Sequence, residues 1–296
     1  MTKQSVATEA PETFDGLLTL IHSRFDTLSP SHKQIAERIM VDPESVAFMT
    51  VSDLAAAVDV NEATVVRFAS GLGLKGFPGL VALCRDRLRQ QAQMLRRFEN
   101  LEHMEGDLRA HAAASDQANI TRTFSRIDDA TWTSAADALA RAPRVHVMGL
   151  RKTHAPAYLL GYLLGMLREE VDLVTGNLGG LTDALRRVRT GDCFVAVSIH
   201  RYSTDTVRAA EFARNRGAHV ITLTDNPSSP LAASGHDVFY LDAASPFVLR
   251  SMTAFTALGQ ALCAEVAQRL GRSARDSLLE EEELLSSFGV YAVDGR

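Results

Sequence analysis

The hydrophobic pattern of the chain changes period at Pro143. Up to that point apolar residues recur every three to four positions, as on one face of a helix. Beyond it, short apolar runs at 145–148, 171–174, 193–199, 220–223 and 238–241 alternate with helical patterns at 155–167, 181–188, 206–216 and 247–270. Strands separated by helices of 10–15 residues pair in parallel, with the helices covering both faces of the sheet. The predicted fold class is therefore α/β with an all-α N-terminal domain: a helical bundle, then a doubly wound parallel sheet.

At 296 residues two domains are expected, given roughly 100–200 residues per domain. The pattern divides the chain into a disordered arm (1–13), a helical domain (14–90), a polar helical linker (91–117), the α/β domain (118–272) and a C-terminal helix and tail (273–296). Hydrophobic residues make up 46%, enough for two cores and too many for a disordered chain. The longest apolar runs, such as 158–167, fall far short of a membrane span of roughly 20 residues. No secretory leader is recognisable in residues 1–12, so a cytoplasmic protein is expected. The cysteines, Cys84, Cys193 and Cys263, are three in number and far apart, which reads as small buried hydrophobes in a reducing compartment. The nine histidines show no metal-ligand spacing, and neither metal nor organic cofactor is expected.

Within the helical half, residues 51–69 are the most informative. Ser52 is placed to cap a short helix over 53–58, Asp59-Val60 forms a tight turn, and Asn61 caps a second helix over 62–71. Ala56 is small enough for a close crossing, and Val60 with Val65 and Val66 pins the two helices together. This is a helix-turn-helix layout, whose second helix enters the major groove of DNA. The face near its start is expected to expose Asn61, Glu62, Thr64 and Arg67, residue types that suit base edges and phosphates. Ser52 and Lys75 complete the candidate DNA-binding set. The formal net charge of −5 argues against nucleic acid until it is counted by segment. Residues 64–97 hold Arg67, Lys75, Arg85, Arg87, Arg89, Arg96 and Arg97 against Asp86 alone, a net +6. A local excess of that kind is the footprint of phosphate binding. Further on, Met94, Leu95, Phe98, Leu101 and Met104 form a heptad-like stripe, either a dimer seam or a face packed on the first domain.

The run 28–36 beginning Leu28-Ser29-Pro30, the stretch Glu62-Ala63-Thr64-Val65-Val66-Arg67-Phe68 and the tail Lys75-Gly76-Phe77 resemble the N-terminal domain of RpiR-type bacterial transcriptional regulators. That family usually has serine where this chain has Asn61; both cap a helix.

In the α/β half, ligands are expected beyond the C-terminal ends of the strands. Two loops there join a strand to a helix N-terminus, where free backbone N–H groups and the helix dipole favour an anion. The first offers Gly149, Arg151, Lys152 and Thr153; the second offers Ser198, His200, Arg201, Ser203, Thr204 and Thr206. These, with the stretch 222–232, resemble the sugar isomerase (SIS) domain, a phosphosugar-binding fold. The family pattern Gly-x-Gly-Ser-Ser appears as Gly149-Leu150-Arg151-Lys152-Thr153. Its Ser-x-Ser-Gly-x-Thr pattern appears as Ser198-Ile199-His200-Arg201-Tyr202-Ser203, with His200 in place of a phosphate-binding serine and Arg201 in place of a glycine. The resemblance implies a small anionic carbohydrate effector, either a sugar phosphate or a sugar acid. Arginine's planar fork suits a carboxylate as well as a phosphate.

Two functions from different classes follow. One is a regulator that binds a double-stranded DNA operator as a homodimer or higher even oligomer and responds to the effector. The other is a phosphosugar isomerase or lyase with an accessory helical domain. Isomerisation needs a general base at the reacting carbons. Glu169, Glu170 and Glu211 are expected away from the strand ends, while His154 and His200 read more simply as anion contacts or surface residues. The regulator, not an enzyme, is the reading taken forward.

Overall fold

The computed structural model describes residues 10–175 and 180–291. Most of the expected N-terminal arm and the last five residues of the tail lie outside that range. The chain divides into two compact units, Met1–Met104 and Glu105–Arg296, with separate apolar cores.

The first unit is helical: α1 (Phe14–Arg24), α2 (Pro30–Val41), α3 (Pro43–Val46), α4 (Val51–Ala57), α5 (Glu62–Gly71) and α6 (Gly76–Glu102). Local chemistry sets the helix starts. Thr13, Ser29, Asp42, Thr50 and Asn61 each accept a backbone N–H of their helix's first turn, and Pro30 and Pro43 occupy first-turn positions that need no N–H donor. Leu17, Ile21, Ile35, Ile39, Leu54, Val65, Phe68 and Leu80 close the core.

Four local expectations are corrected. The cap of α4 is Thr50 rather than Ser52, because the Thr50 hydroxyl accepts from Asp53 N while Asp53 returns a carboxylate oxygen to Thr50 N. That reciprocal pair starts the helix two residues earlier. As a result Ala55, not Ala56, faces the core. Val65 is fully buried, but Val66 is 42% exposed, since adjacent helical positions point about 100° apart. Finally, α6 runs unbroken past residue 90 to Glu102, and the chain next turns at 103–107.

The second unit opens with α7 (Leu108–Phe124) and α8 (Asp129–Arg141). Then follow β1 (Val145–Gly149), α9 (His154–Leu167), β2 (Val171–Leu173), α10 (Leu181–Leu185), β3 (Cys193–Val197), α11 (Thr204–Asn215), β4 (His219–Thr224), β5 (Asp237–Tyr240), α12 (Thr253–Leu270) and α13 (Arg272–Ser287). The five strands are parallel in the order β2-β1-β3-β4-β5. Alternate residues of β3 serve opposite layers. Cys193, Val195 and Val197 pack with Leu160, Leu164, Leu258 and Leu262; Phe194 and Ala196 pack with Ala209, Ala210 and Ala213. A sheet buried on both faces in this way has the continuous apolar strands that the sequence shows.

The final long helix starts at Thr253 and not at 247. Ser251 Oγ accepts Thr253 N at 3.1 Å, and residues 242–252 form a loop at the end of β5. No helix among the described residues is long and apolar enough to cross a membrane. The strand order reverses between β1 and β3, so the loops leaving these two neighbours run to opposite sides and open a crevice between them.

Candidate functional site

Two sites emerge, one in each unit. In the first, α4 and α5 meet through the turn 58–61. Asp59 adopts φ +50° there, and Val60 N reaches back to Ala55 O at 3.0 Å. Asn61 Oδ1 accepts both Thr64 N and the Thr64 hydroxyl, each at 2.8 Å. The Thr64 oxygen in turn accepts Arg67 Nη2 at 2.9 Å. Thr64 is buried, which corrects its expected place on the exposed face. Its hydroxyl sits beneath the surface and orients Arg67. Asn61, Glu62 and Arg67 are exposed, and the exposed Ser52 donates its hydroxyl to Glu62 Oε1 across the helix pair. Lys75 is exposed at the separate turn into α6. The basic segment is less uniform than its net charge suggests. Arg85 Nε donates to Ala47 O at 2.7 Å, and the Arg87 guanidinium lies 4.7 Å from the centre of the Phe14 ring. These two arginines help hold the bundle together.

In the second unit, Gly149 and Val197 are register partners at the ends of β1 and β3. A Cβ on Gly149 would lie 2.4 Å from Thr153 O and 2.7 Å from Ala157 Cβ, so only glycine allows the loop to fold back over the strand end. The Thr153 hydroxyl is buried and faces Leu150 O at 2.8 Å and Val197 O at 2.9 Å, tying the first loop to β3. Ser198 is buried, and its Oγ accepts Ser203 N at 3.1 Å, which shapes the second loop. Thr206 is fully buried, on the side of α11 away from solvent. Its hydroxyl has no hydrogen-bond partner among the described residues. Gly149, Thr153 and Ser198 also act on the loops themselves, from buried positions.

The residues left facing outward are Arg151, Lys152, His200, Arg201 and Thr204, with Ser203 half-buried. Ser203 is the N-cap of α11 but makes no side-chain capping hydrogen bond. Its hydroxyl and the first N–H groups of α11 lie beside a cationic loop. Arg151 takes φ +56°, a left-handed conformation that side chains rarely adopt and that the tight fold over Gly149 imposes. This group can hold an anion by charge and by hydrogen bonds.

Sequence reasoning missed four residues at the same strand ends. Asp225, whose side chain is 3% exposed, accepts Tyr202 Oη at 2.8 Å and His200 N at 3.4 Å. Arg250 Nη1 stands 3.6 Å from Asp225 Oδ2, the oxygen that also accepts His200 N, and Asn226 Nδ2 donates to Tyr202 Oη at 2.8 Å. Burial, and then the bond to Asp225, push the Tyr202 phenol above its usual pKa. Asp225-Asn226 directly after an apolar strand was a readable signal of a strand-end loop. Arg250 had none, because its neighbourhood reads as helix. Of the acids weighed as catalytic bases, Glu170 pairs with Arg144 at the N-terminal ends of β1 and β2, where Glu170 O accepts Val145 N.

Comparison with known proteins matches both units. Residues 15–90 match the family model of the helix-turn-helix domain of the rpiR family, and residues 138–264 match the SIS domain. An uncharacterized HTH-type transcriptional regulator of Caldanaerobacter subterraneus is 28% identical over 219 residues, 73% of this chain and 76% of its own length. The HTH-type transcriptional regulator HexR of Pseudomonas aeruginosa is 26% identical over 221 residues, 73% of this chain and 75% of its own. Among solved structures, the sugar isomerase domain of an RpiR transcription factor from Sphaerobacter thermophilus superposes with TM-score 0.58 at 29% identity, covering 60% of this chain and 99% of that one. Vibrio vulnificus NanR, complexed with ManNAc-6P, superposes with TM-score 0.56 at 22% identity over 94% of this chain and all of its own, a likeness of fold.

Proposed function

The chain belongs to the RpiR family of transcriptional regulators, an rpiR-type helix-turn-helix domain followed by a SIS domain, and from that premise we propose how it reads DNA and what its sensor holds. The reading helix is α5. Asn61, Glu62 and Arg67, with Ser52 behind them, meet base edges and phosphates, Thr64 sets Arg67 from below, and Lys75 supplies a flanking phosphate contact. A homodimer, or a higher even oligomer, presents two such helices to half-sites about 34 Å or a multiple of that apart. The exposed Tyr158 and Tyr162 on α9 and Leu278, Leu279 and Leu284 on α13 support contact between copies through the second unit.

The sensor takes an anionic carbohydrate between the β1 and β3 loops. The observation that carries this reading is the uncapped Ser203 hydroxyl at the start of α11, beside the exposed Arg201 and His200, at the point where the strand order reverses. Ser203, Thr204 and the α11 N–H groups hold the anion, and Arg201, His200, Arg151 and Lys152 supply positive charge. That NanR shares the fold and was solved with a phosphorylated sugar supports beginning with sugar phosphates. Turnover is not proposed. The buried carboxylate at the C-terminal strand ends, Asp225, is committed to Tyr202 and His200, and the glutamate pair 169–170 lies at the N-terminal ends. A regulator of this composition works in the cytoplasm, where its operator is.

Thermal-shift screening of sugar phosphates and sugar acids tests the sensor, because a ligand of the native state raises Tm. A hit whose shift disappears in Ser203→Ala supports the site. A hit that the chain converts to product, with turnover lost in His200→Ala, establishes an isomerase instead.

A further inference from the structure

A third loop brings another cation, Arg250, to Asp225 at the strand ends. The arginines of the second unit that hold the fold together are saturated with partners. Arg168 donates to the carbonyls of Leu139, Ala140, Ala142 and Pro143, and Arg269 is shared between Asp137 and Glu265. Arg250 is different. Its charged partner among the described residues is Asp225, at 3.6 Å, beyond hydrogen-bond distance, and its side chain is 31% exposed. Asp225 does not depend on it either: Oδ1 keeps the Tyr202 phenol and Oδ2 keeps His200 N if the guanidinium moves. The guanidinium is therefore not the group that satisfies the Asp225 oxygens.

The loop that presents Arg250 is nevertheless firmly rooted. At its start, Ala244 exchanges hydrogen bonds with the buried Asn119 of α7, at 2.7 Å and 3.2 Å, and Asp242 N donates to Thr123 Oγ1 at 3.0 Å. Arg122 and Arg126 both pair with the Asp242 carboxylate. At its end, Thr253 donates to Asp116 at 2.8 Å. Asn119 and Thr123, the buried residues of α7, are both spent on this loop. Arg250 is thus a lightly held cation on a well-anchored support. It shares a carboxylate with the loop that carries His200 and Arg201.

We propose that Arg250 is an anion-binding residue of the switch-point cleft and that Asp225 is its positioning residue, holding the guanidinium at the cleft and competing with the anion for it. The proposal rests on the reading of the β1–β3 crevice as an anion site. An arginine there adds a planar fork suited to phosphate or carboxylate oxygens. The ligand's anionic group takes the guanidinium, and Asp225 keeps Tyr202 and the His200 backbone in place.

Inorganic phosphate is the probe, titrated into the full chain at constant ionic strength with chloride as counter-ion, and read by thermal shift and calorimetry. Arg250→Met is expected to weaken phosphate binding about tenfold, the loss of one charge-assisted contact. Arg250→Lys is expected to retain part of the affinity, since the charge remains and the fork is lost. Asp225→Asn is expected to bind phosphate at least about threefold more tightly, because the competing charge is gone. A purely structural ion pair predicts weakened or unchanged phosphate binding in Asp225→Asn. Arg201→Ala is measured alongside. Phosphate binding that needs Arg201, is indifferent to Arg250 and is weakened or unchanged in Asp225→Asn overturns the proposal and leaves the anion cleft standing. Binding indifferent to both arginines, or no binding by the wild-type chain, overturns both. Tm values without phosphate show that each variant is folded, and Arg250→Lys with Asp225→Asn decides the matter if Arg250→Met is not.

Discussion

Arg67 shows how one side chain depends on the two below it. Asn61 caps the helix and holds the Thr64 hydroxyl, which accepts a guanidinium N–H from Arg67. Removing Arg67 as Arg67→Ala is expected to weaken operator binding by about 1–3 kcal/mol if it reads a base, or to flatten the salt slope by about one unit if it holds a phosphate. A salt series of mobility shifts measures both, and unchanged binding removes Arg67 from the reading face. Asn61→Ala is expected to destabilise the first unit by about 1 kcal/mol through loss of the cap, as read by urea unfolding. At the other site, Arg201→Ala is expected to abolish the effector response and leave operator affinity without effector intact. The cysteines make a simpler case. Burial lifts the Cys84 thiol to about 11 and Cys263 to about 12, and also raises Cys193. Thiol reagents at pH 8 should therefore label the native chain slowly and the unfolded chain at once.

For the elements, legibility tracked how local the determinants are. The second helix of the pair, α5, was readable in full from Asn61 to Gly71, because its cap and its apolar stripe are both written in adjacent residues. The start of α4 was misread by two residues. Ser52 and Thr50 are both good caps, and the reciprocal bond with Asp53 decides between them. Residues 247–252 were misread as helix because their composition is apolar, while the bonds that root the loop they belong to come from α7, more than a hundred residues earlier. The caps also predict an acid response. Hydrogen bonds from Thr50 depress the Asp53 carboxyl below its ordinary value, and those from Ser45 do the same for Asp42. Each carboxyl is thus more acidic folded than unfolded. The stability it adds is present above the unfolded value of about 3.9 and is lost as pH falls through the lower folded one. Asp53→Asn should flatten the acid limb of the first unit's stability curve, measured by circular dichroism from pH 5 down to pH 2.

At the scale of the molecule, each unit has its own core, so residues 105–296 produced alone should keep the anion-dependent rise in Tm and lose operator binding. Loss of both would show that the sensor needs the helical unit. The change of period at Pro143, the strand–helix alternation after it, the capped helix pair and the basic run hidden in a net charge of −5 were all determined by the sequence itself. Such features follow from backbone period, turn chemistry and charge count, which act over a few residues. What only the tertiary structure decided was which polar groups face solvent. Thr64 and Thr206 match their exposed neighbours in type, yet both are buried. Tyr202, Asp225 and Arg250 are remote in the chain and meet because parallel strands deliver three loops to one edge of the sheet. Exposure and long-range pairing depend on where a helix face or strand end comes to rest against the rest of the fold, and a residue's chain neighbours do not carry that information.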